Sequence, residues 1–440
     1  MTTMPSAIPP QRRSKLEASL LSAIAERVGA LSTNGSPWRE PALHFLQQNG
    51  LPARTEEAFR FSPIGAVSEQ VFVAPTEGLV LQVAPLERAA ISLVFVNGIP
   101  QALPVTPKGV VIVRLSEAGA AVGSKVGSLI HQQDGWVAAN TAGYADGIAV
   151  VVDDATEVAQ ALEMTFVQTA ESAATYSASR VVILVGHGSK LSVVERHLSV
   201  GDAKSLSNQV VECFVGAGST VNHSRWTELG DEAHQVAATA VSLSDGASYY
   251  SFALNHRGKY VRHDLQVRLK GRHASATLDG LYYGRTGQLV DNHVRVWHEA
   301  PEGSTKECYR GVVENQGKGV FDGIIYVCKG AMKTDARQEN RNLLLGPEAV
   351  VYTKPHLEID ADDVACSHGA TVGQLDENQL FYLQARGIDA ALGRELLTWA
   401  FAKEIVERCP YAPLRALATA KLEGKLRDEV AATLTEGLSV

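Results

Sequence analysis

From about residue 178 to 372 the hydrophobic positions come in short β-branched runs rather than at helical spacing. Val181-Val182-Ile183-Leu184-Val185, Val210-Val211-Glu212-Cys213-Phe214-Val215, Leu265-Gln266-Val267-Arg268-Leu269 and Ile324-Ile325-Tyr326-Val327 each fit one strand. Turns of Gly with a small residue recur between them: Gly188-Ser189, Gly216-Ala217-Gly218, Gly246-Ala247, Gly303-Ser304, Gly330-Ala331 and Gly369-Ala370. Several lie roughly 25–30 residues apart, the length of one coil of a β-solenoid. No helix-length amphipathic segment interrupts the strands, which disfavours alternating βαβ units. The spacing is irregular, so a β-helix and a β-sandwich both fit the pattern.

The flanks read differently. Residues 1–10, with Pro5, Pro9 and Pro10, are expected to be disordered. Leu16, Leu20, Leu21, Ile24 and Val28 predict an amphipathic helix over 15–31. Ile91 to Val96 reads as a strand ending in the turn Asn97-Gly98. Asp154-Ala155-Thr156-Glu157 resembles a capping box and predicts a helical insert near 154–174, with Val158, Leu162 and Phe166 on one face. After Gly373 the pattern is helical, with Gly387 as a C-cap and Asp389 as the N-cap of a helix over about 390–408. That helix holds more apolar surface than one core-facing stripe needs. Leu392, Leu396, Trp399, Phe401 and Ile405 are therefore candidates for docking a partner, against burial within a short helical bundle. The expected organisation is an N-terminal helical region (1–88), a β core (89–372) and a C-terminal helical domain (373–440). Helices at both flanks could cap the two ends of a solenoid, whose end rungs expose backbone groups.

A length of 440 residues supports two or three domains. Hydrophobic content of 45% with 20% charged residues is ordinary for a soluble chain. A net charge of −8 argues against nucleic-acid binding. The five cysteines, Cys213, Cys308, Cys328, Cys366 and Cys409, show no paired spacing, which fits a reducing compartment. With no signal-like N-terminus and no apolar run of membrane-spanning length, cytoplasm is the expected location.

Candidate chemistry is sparse. There is no phosphate-binding loop, dinucleotide fingerprint or nucleophile elbow. Gly186-His187-Gly188-Ser189 reads as a strand-to-turn position with a solvated imidazole. His256, His263, His273, His293 and His298 read mostly as surface or turn residues, and Cys308 with Cys328 as a stack inside the solenoid. Asp360, Asp362 and Asp363 read as a solvated strand face. Cys366 and His368 stand out, because i and i+2 of an extended segment share a face. A thiolate beside an imidazole suits iron–sulfur, zinc or copper, though two ligands do not close a site.

The text around that pair carries a resemblance. It runs from Lys354-Pro355-His356-Leu357-Glu358-Ile359 through Cys366-Ser367-His368-Gly369 to Phe381-Tyr382-Leu383-Gln384-Ala385-Arg386-Gly387. It closely resembles the SufB/SufD family of iron–sulfur cluster assembly proteins. The Cys-Ser-His-Gly form is similar to the SufD branch; the His-Glu-Ala and N-terminal cysteine cluster of the SufB branch are absent. Leu51-Pro52-Ala53-Arg54 followed by Phe59-Arg60-Phe61-Ser62 is similar to a second family segment, with Phe59 where a Trp is usual.

The resemblance implies a right-handed parallel β-helix core flanked by helical regions, mainly β overall. It implies a non-catalytic scaffold subunit working with a SufB paralogue and the SufC ATPase, the latter bound by the C-terminal helices. It further implies that His368, and second Cys366, help hold a transient iron–sulfur cluster shared with SufB and destined for apo-proteins. No motif supports a flavin. A SufB–SufD heterodimer and a SufD homodimer both remain open as resting forms. The rival readings are a β-helix enzyme acting on polysaccharide and an inert homodimeric solenoid.

Overall fold

The computed structural model describes residues 15–30, 38–52, 55–62, 71–76, 78–130 and 134–423. The expected disorder of residues 1–10 lies outside them, as do Ala53 and Arg54 of the second family-like segment.

The core is a parallel β-solenoid of about eight turns. Successive strands alternate between two faces. Face A runs outward through Ile148–Val152, Ala174–Val185, Ser205–Val215, His234–Leu243, Tyr260–Leu269, Leu289–His298 and Lys318–Val327 to Val350–Ile359. Face B runs through Ile91–Val96, Leu162–Thr169, Lys190–Val200, Thr220–Glu228, Ser248–Arg257, Ser275–Gly284, Ser304–Val313 and Asp335–Leu344 to Ala365–Gly373. The pairings between these strands are parallel, and register partners such as Ser275, Ser304, Asp335 and Ala365 fall one coil apart.

Identical register stacks like on like. On face A one inward column reads Val150, Ile183, Cys213, Val241, Val267, Val296, Ile325 and Leu357. All but Leu357 are buried in the main core. The Cys213 thiol behaves there as a small hydrophobe, with burial pushing its pKa up to about 12. The corners repeat as well: Gly188, Gly218 and Gly246 all turn in the left-handed region, φ 62–65°, where glycine avoids the Cβ penalty.

Face B lines the lumen with polar groups. Glu195 takes His197 Nε2 and His223 Nε2 at 2.8 Å each, and His223 Nδ1 meets the Tyr249 hydroxyl at 2.9 Å. Tyr309 lies over Gly280, where a Cβ would sit 2.2 Å from its ring.

The helices cover the outer faces. Lys15–Ala30, Arg39–Asn49 and Gly135–Gly143 pack with Tyr176, Val182, Leu206 and Tyr260 on face A. Ser19, Leu20, Ala23 and Ile24 are buried on the first helix. The segment Glu57–Ser62 forms a strap over the same face. Arg262 donates to Ala58 O at 2.9 Å and to Asp291 at 2.6 Å, and its guanidinium lies 3.9 Å from the Phe59 ring centroid. Phe61 stacks on Tyr352 at 4.3 Å, and Lys354 pairs with Glu57 at 2.8 Å.

Several expectations need correction. Residues 154–174 hold no helix; Leu162–Thr169 is a strand, buried along its whole length between its neighbours. Asp154 instead accepts from the backbone of His187 in a corner. Gly369-Ala370 lies within a strand rather than at a turn. His256, His263, His293 and His298 are buried, and among that set His273 alone is exposed. Cys308 does not stack with Cys328 inside the lumen, since it faces outward beneath the C-terminal helices. Those helices do not cap the solenoid end. Ala390–Val406 and the helical run over 412–423 fold back along face B, burying Ile405, Val406, Cys409 and Leu414 against Trp226, Phe252, Leu254 and Leu281.

Burial sets the acid response. Desolvation lowers the pKa of His197, His234 and His298 to about 4 each and that of His263 well below 6.5. Each is neutral when folded and takes up a proton when unfolded, so its stabilisation is present above pH 6.5 and lost as pH falls. Glu307 acts oppositely, because burial raises its pKa to about 8 and the native state holds the extra proton above pH 4.5. Asp134 and Asp279, also raised by burial, act in the same sense as Glu307, and the four imidazoles outweigh these three carboxyls. The urea midpoint is therefore expected to drop between pH 7 and pH 4.5, at roughly 1.4 kcal/mol per unit of pKa displacement for each imidazole. A midpoint that rises over that interval would contradict this balance.

Candidate functional site

The solenoid stops at a rung built from Val350–Ile359 and Ala365–Gly373. Each is the outermost strand of its face, paired on one side only. No residue of either strand is buried. The connecting corner 360–364 is pinned to the previous coil by Asp360 N–Val327 O (2.8 Å), Lys333 N–Asp363 O (2.7 Å) and Ala365 N–Thr334 O (2.8 Å). This ordered corner fixes the start of the final strand. Asp360, Asp362 and Asp363 belong to it and are exposed.

Register then sets which way the site residues face. Cys366 pairs with Ala336 and His368 with Gln338, both buried lumen positions. Cys366 packs against the main core and is half-buried; His368 shares its face, roughly 6.6 Å further along the strand, and is exposed. Thiol and imidazole thus stand together at the open mouth of the lumen. Burial raises the Cys366 thiol pKa, with Asp335 adding to it and the Ala336 backbone opposing it. The resting group is a thiol, and a thiophilic metal would have to displace its proton. Among the described residues no group of three or more His, Cys, Asp or Glu side chains is placed to hold a metal ion. A metal at Cys366 and His368 needs ligands from elsewhere.

The outer side of the rung is amphipathic. Tyr352 is exposed there and His356 pairs with Glu358 at 3.3 Å, while Ile359 and Val372 are exposed on the lumen-facing side of the same strands. Pro355 is tolerated in Val350–Ile359 because an edge strand has free ladder positions.

The C-terminal candidates separate. Leu392, Leu396 and Trp399 are half-buried on the helix Ala390–Val406. Phe401 is half-buried under the Arg310 guanidinium, and Ile405 is fully buried against the solenoid flank. Ile405 therefore cannot also face a partner. Phe381 and Tyr382, on the preceding helix Glu377–Gln384, are 71% and 56% exposed. They sit beside a shallow groove lined by Asn378, Gln379, Tyr382, Leu383 and Leu397. In the sequence they stood out only as part of the family-like stretch, flanked by Leu380 and Leu383.

Fold and rung together define a parallel β-solenoid that carries a thiol–imidazole pair at its open end. The family described as SUF system FeS cluster assembly, SufBD core domain, matches residues 166–401, over half of the chain. The chain belongs to that family. It is 28% identical over 418 residues to the iron–sulfur cluster assembly protein SufD of Escherichia coli, covering 90% of this chain and 94% of the relative. It is 27% identical to an iron–sulfur cluster assembly SufBD family protein of Synechocystis, over 86% and 88% of the two chains. It is 32% identical to the chloroplastic protein ABCI7 of Arabidopsis thaliana, over 56% and 52%.

Thiol labelling of the native chain should follow this geometry. Cys366 and Cys328, both half-buried, are expected to react with iodoacetamide, while Cys213 and Cys409 stay unmodified until urea unfolds the protein. Peptide mass spectrometry reads this out; early loss of Cys213 would contradict the closed aliphatic stack.

Proposed function

We propose that this chain is a non-catalytic scaffold subunit of a cytoplasmic iron–sulfur cluster assembly complex. Its open rung pairs with the equivalent rung of a SufB-type subunit, and His368, with Cys366 beside it, supplies part of the ligand set for a nascent cluster at the junction. The observation that carries this is the uncovered last rung, two adjacent strand edges with a thiol and an imidazole on their lumen side. Unpaired strand edges are a template for another chain. A His can replace Cys at the iron of a cluster. So few ligands per subunit would leave the cluster labile, which suits transfer to apo-proteins.

The same edges serve a homodimer of the isolated subunit, pairing like with like. The C-terminal hairpin serves as the docking face for a SufC-type ATPase. Its available anchors are Phe381, Tyr382, Leu392, Leu396 and Trp399. No helix among the described residues is long and apolar enough to cross a membrane.

His368→Ala in the co-expressed complex is expected to leave co-elution of the partners unchanged while lowering the cluster absorbance by roughly tenfold or more. A normal cluster yield from that variant sinks the role assigned to the imidazole. Replacing both Phe381 and Tyr382 with Ala should weaken ATPase binding by about tenfold or more, as loss of aromatic anchors does, without shifting the melting temperature. Unchanged affinity in a calorimetric titration would move the docking face elsewhere.

A further inference from the structure

Behind His368 the lumen of face B carries an unusual pair. The inward column that ends at His368 reads Leu278, Glu307, Gln338 and His368 in register. Glu307 and Gln338 are both 3% exposed. Gln338 Nε2 donates to Glu307 Oε2 at 3.0 Å. That leaves two buried oxygens, Glu307 Oε1 and Gln338 Oε1, with no hydrogen-bond partner. Among the described residues no Lys, Arg or His forms an ion pair with Glu307. The Glu195 carboxylate, in the same lumen, has two histidines and Arg225 around it.

The space is built to admit this pair. Gly323 lies across the lumen on Lys318–Val327, and a Cβ there would sit 2.2 Å from Gln338 Nε2. Any larger residue would displace the amide. Access is short, because the final rung is uncovered and Gln338 lies one rung, roughly 4.8 Å, inside it.

We propose that Glu307 and Gln338 form an internal acceptor site for a divalent first-row cation, one rung behind His368. The donor set is one carboxylate and one amide carbonyl, with an imidazole next along the column. Oxygen donors of this kind suit manganese and ferrous ions better than soft metals, and imidazole extends the preference toward iron. In the empty site burial favours the protonated, neutral form of the Glu307 carboxyl. On uptake the cation replaces that proton, which leaves to solvent, so charge and atoms balance as M2+ + COOH → M2+·COO− + H+. Resting on the role proposed for the last rung, this site would hold metal close to the mouth before a cluster forms.

The probe is Mn2+, which prefers oxygen donors and leaves the Cys366 thiol aside. Free Mn2+ is counted by its electron paramagnetic resonance signal during titration into the full chain. The wild type should remove one equivalent that Glu307→Gln and Gln338→Leu each bind at least tenfold more weakly, while Asp362→Asn, at an exposed corner carboxylate, leaves it unchanged. Gln is isosteric with the protonated acid, and circular dichroism melts confirm the fold of each variant. No uptake by the wild type, or equal uptake by Glu307→Gln, overturns the inference. Normal Mn2+ uptake in a His368→Ala chain that still builds clusters would overturn the proposed function while supporting the internal site.

Discussion

Every coil of this protein is held by the coil before it. The inter-strand hydrogen bonds run along the solenoid axis, so each rung satisfies its predecessor and presents a fresh row of donors and acceptors to its successor. Such a ladder has no internal stopping point. At Val350–Ile359 and Ala365–Gly373 it simply ends, with the C-terminal helices diverted to the flank. The location of the site follows from that unfinished ladder.

The same repetition explains why the two lumen walls differ. Face A stacks aliphatic residues from Val150 to Ile325, and dispersion between identical shapes makes it a rigid spine. Face B stacks Glu195, His223, Tyr249, Tyr309, Glu307 and Gln338, each needing a partner on a neighbouring rung. A buried polar network that is only partly satisfied is costly. Face A contributes to it as well, through Thr239 with His263, Asn292 with Asn255 and His298 with Thr305, so the walls differ in proportion rather than in kind.

Much of this was legible in the chain, and the losses have physical causes. The β-branched runs announced the strands, and Asp389 does cap its helix through Ala391 N and Leu392 N. The Cys366–His368 pair was visible as an i, i+2 spacing, and register places both on the lumen face. Leu162–Thr169 misled because Leu162 and Phe166 satisfy a helical spacing as well as a strand's. The buried histidines were unreadable for a different reason. His223 is satisfied by Glu195 and Tyr249, 28 and 26 residues away, and only the coil length brings them together. Glu307 and Gln338 hid likewise, as ordinary polar residues in strands whose neighbours are a full coil distant.

The strap at Glu57–Ser62 has a consequence for the order of folding. It belongs to the early part of the chain, yet it closes on Arg262, Asp291, Tyr352 and Lys354, the last of these 297 residues from its partner Glu57. During synthesis its landing place is not complete until nearly the whole solenoid has emerged. Contacts of such sequence separation form late, because loop-closure entropy must be met first. The strap therefore works as a latch thrown in stages, with Phe59 meeting Arg262 midway and Phe61 left uncovered until Tyr352 arrives.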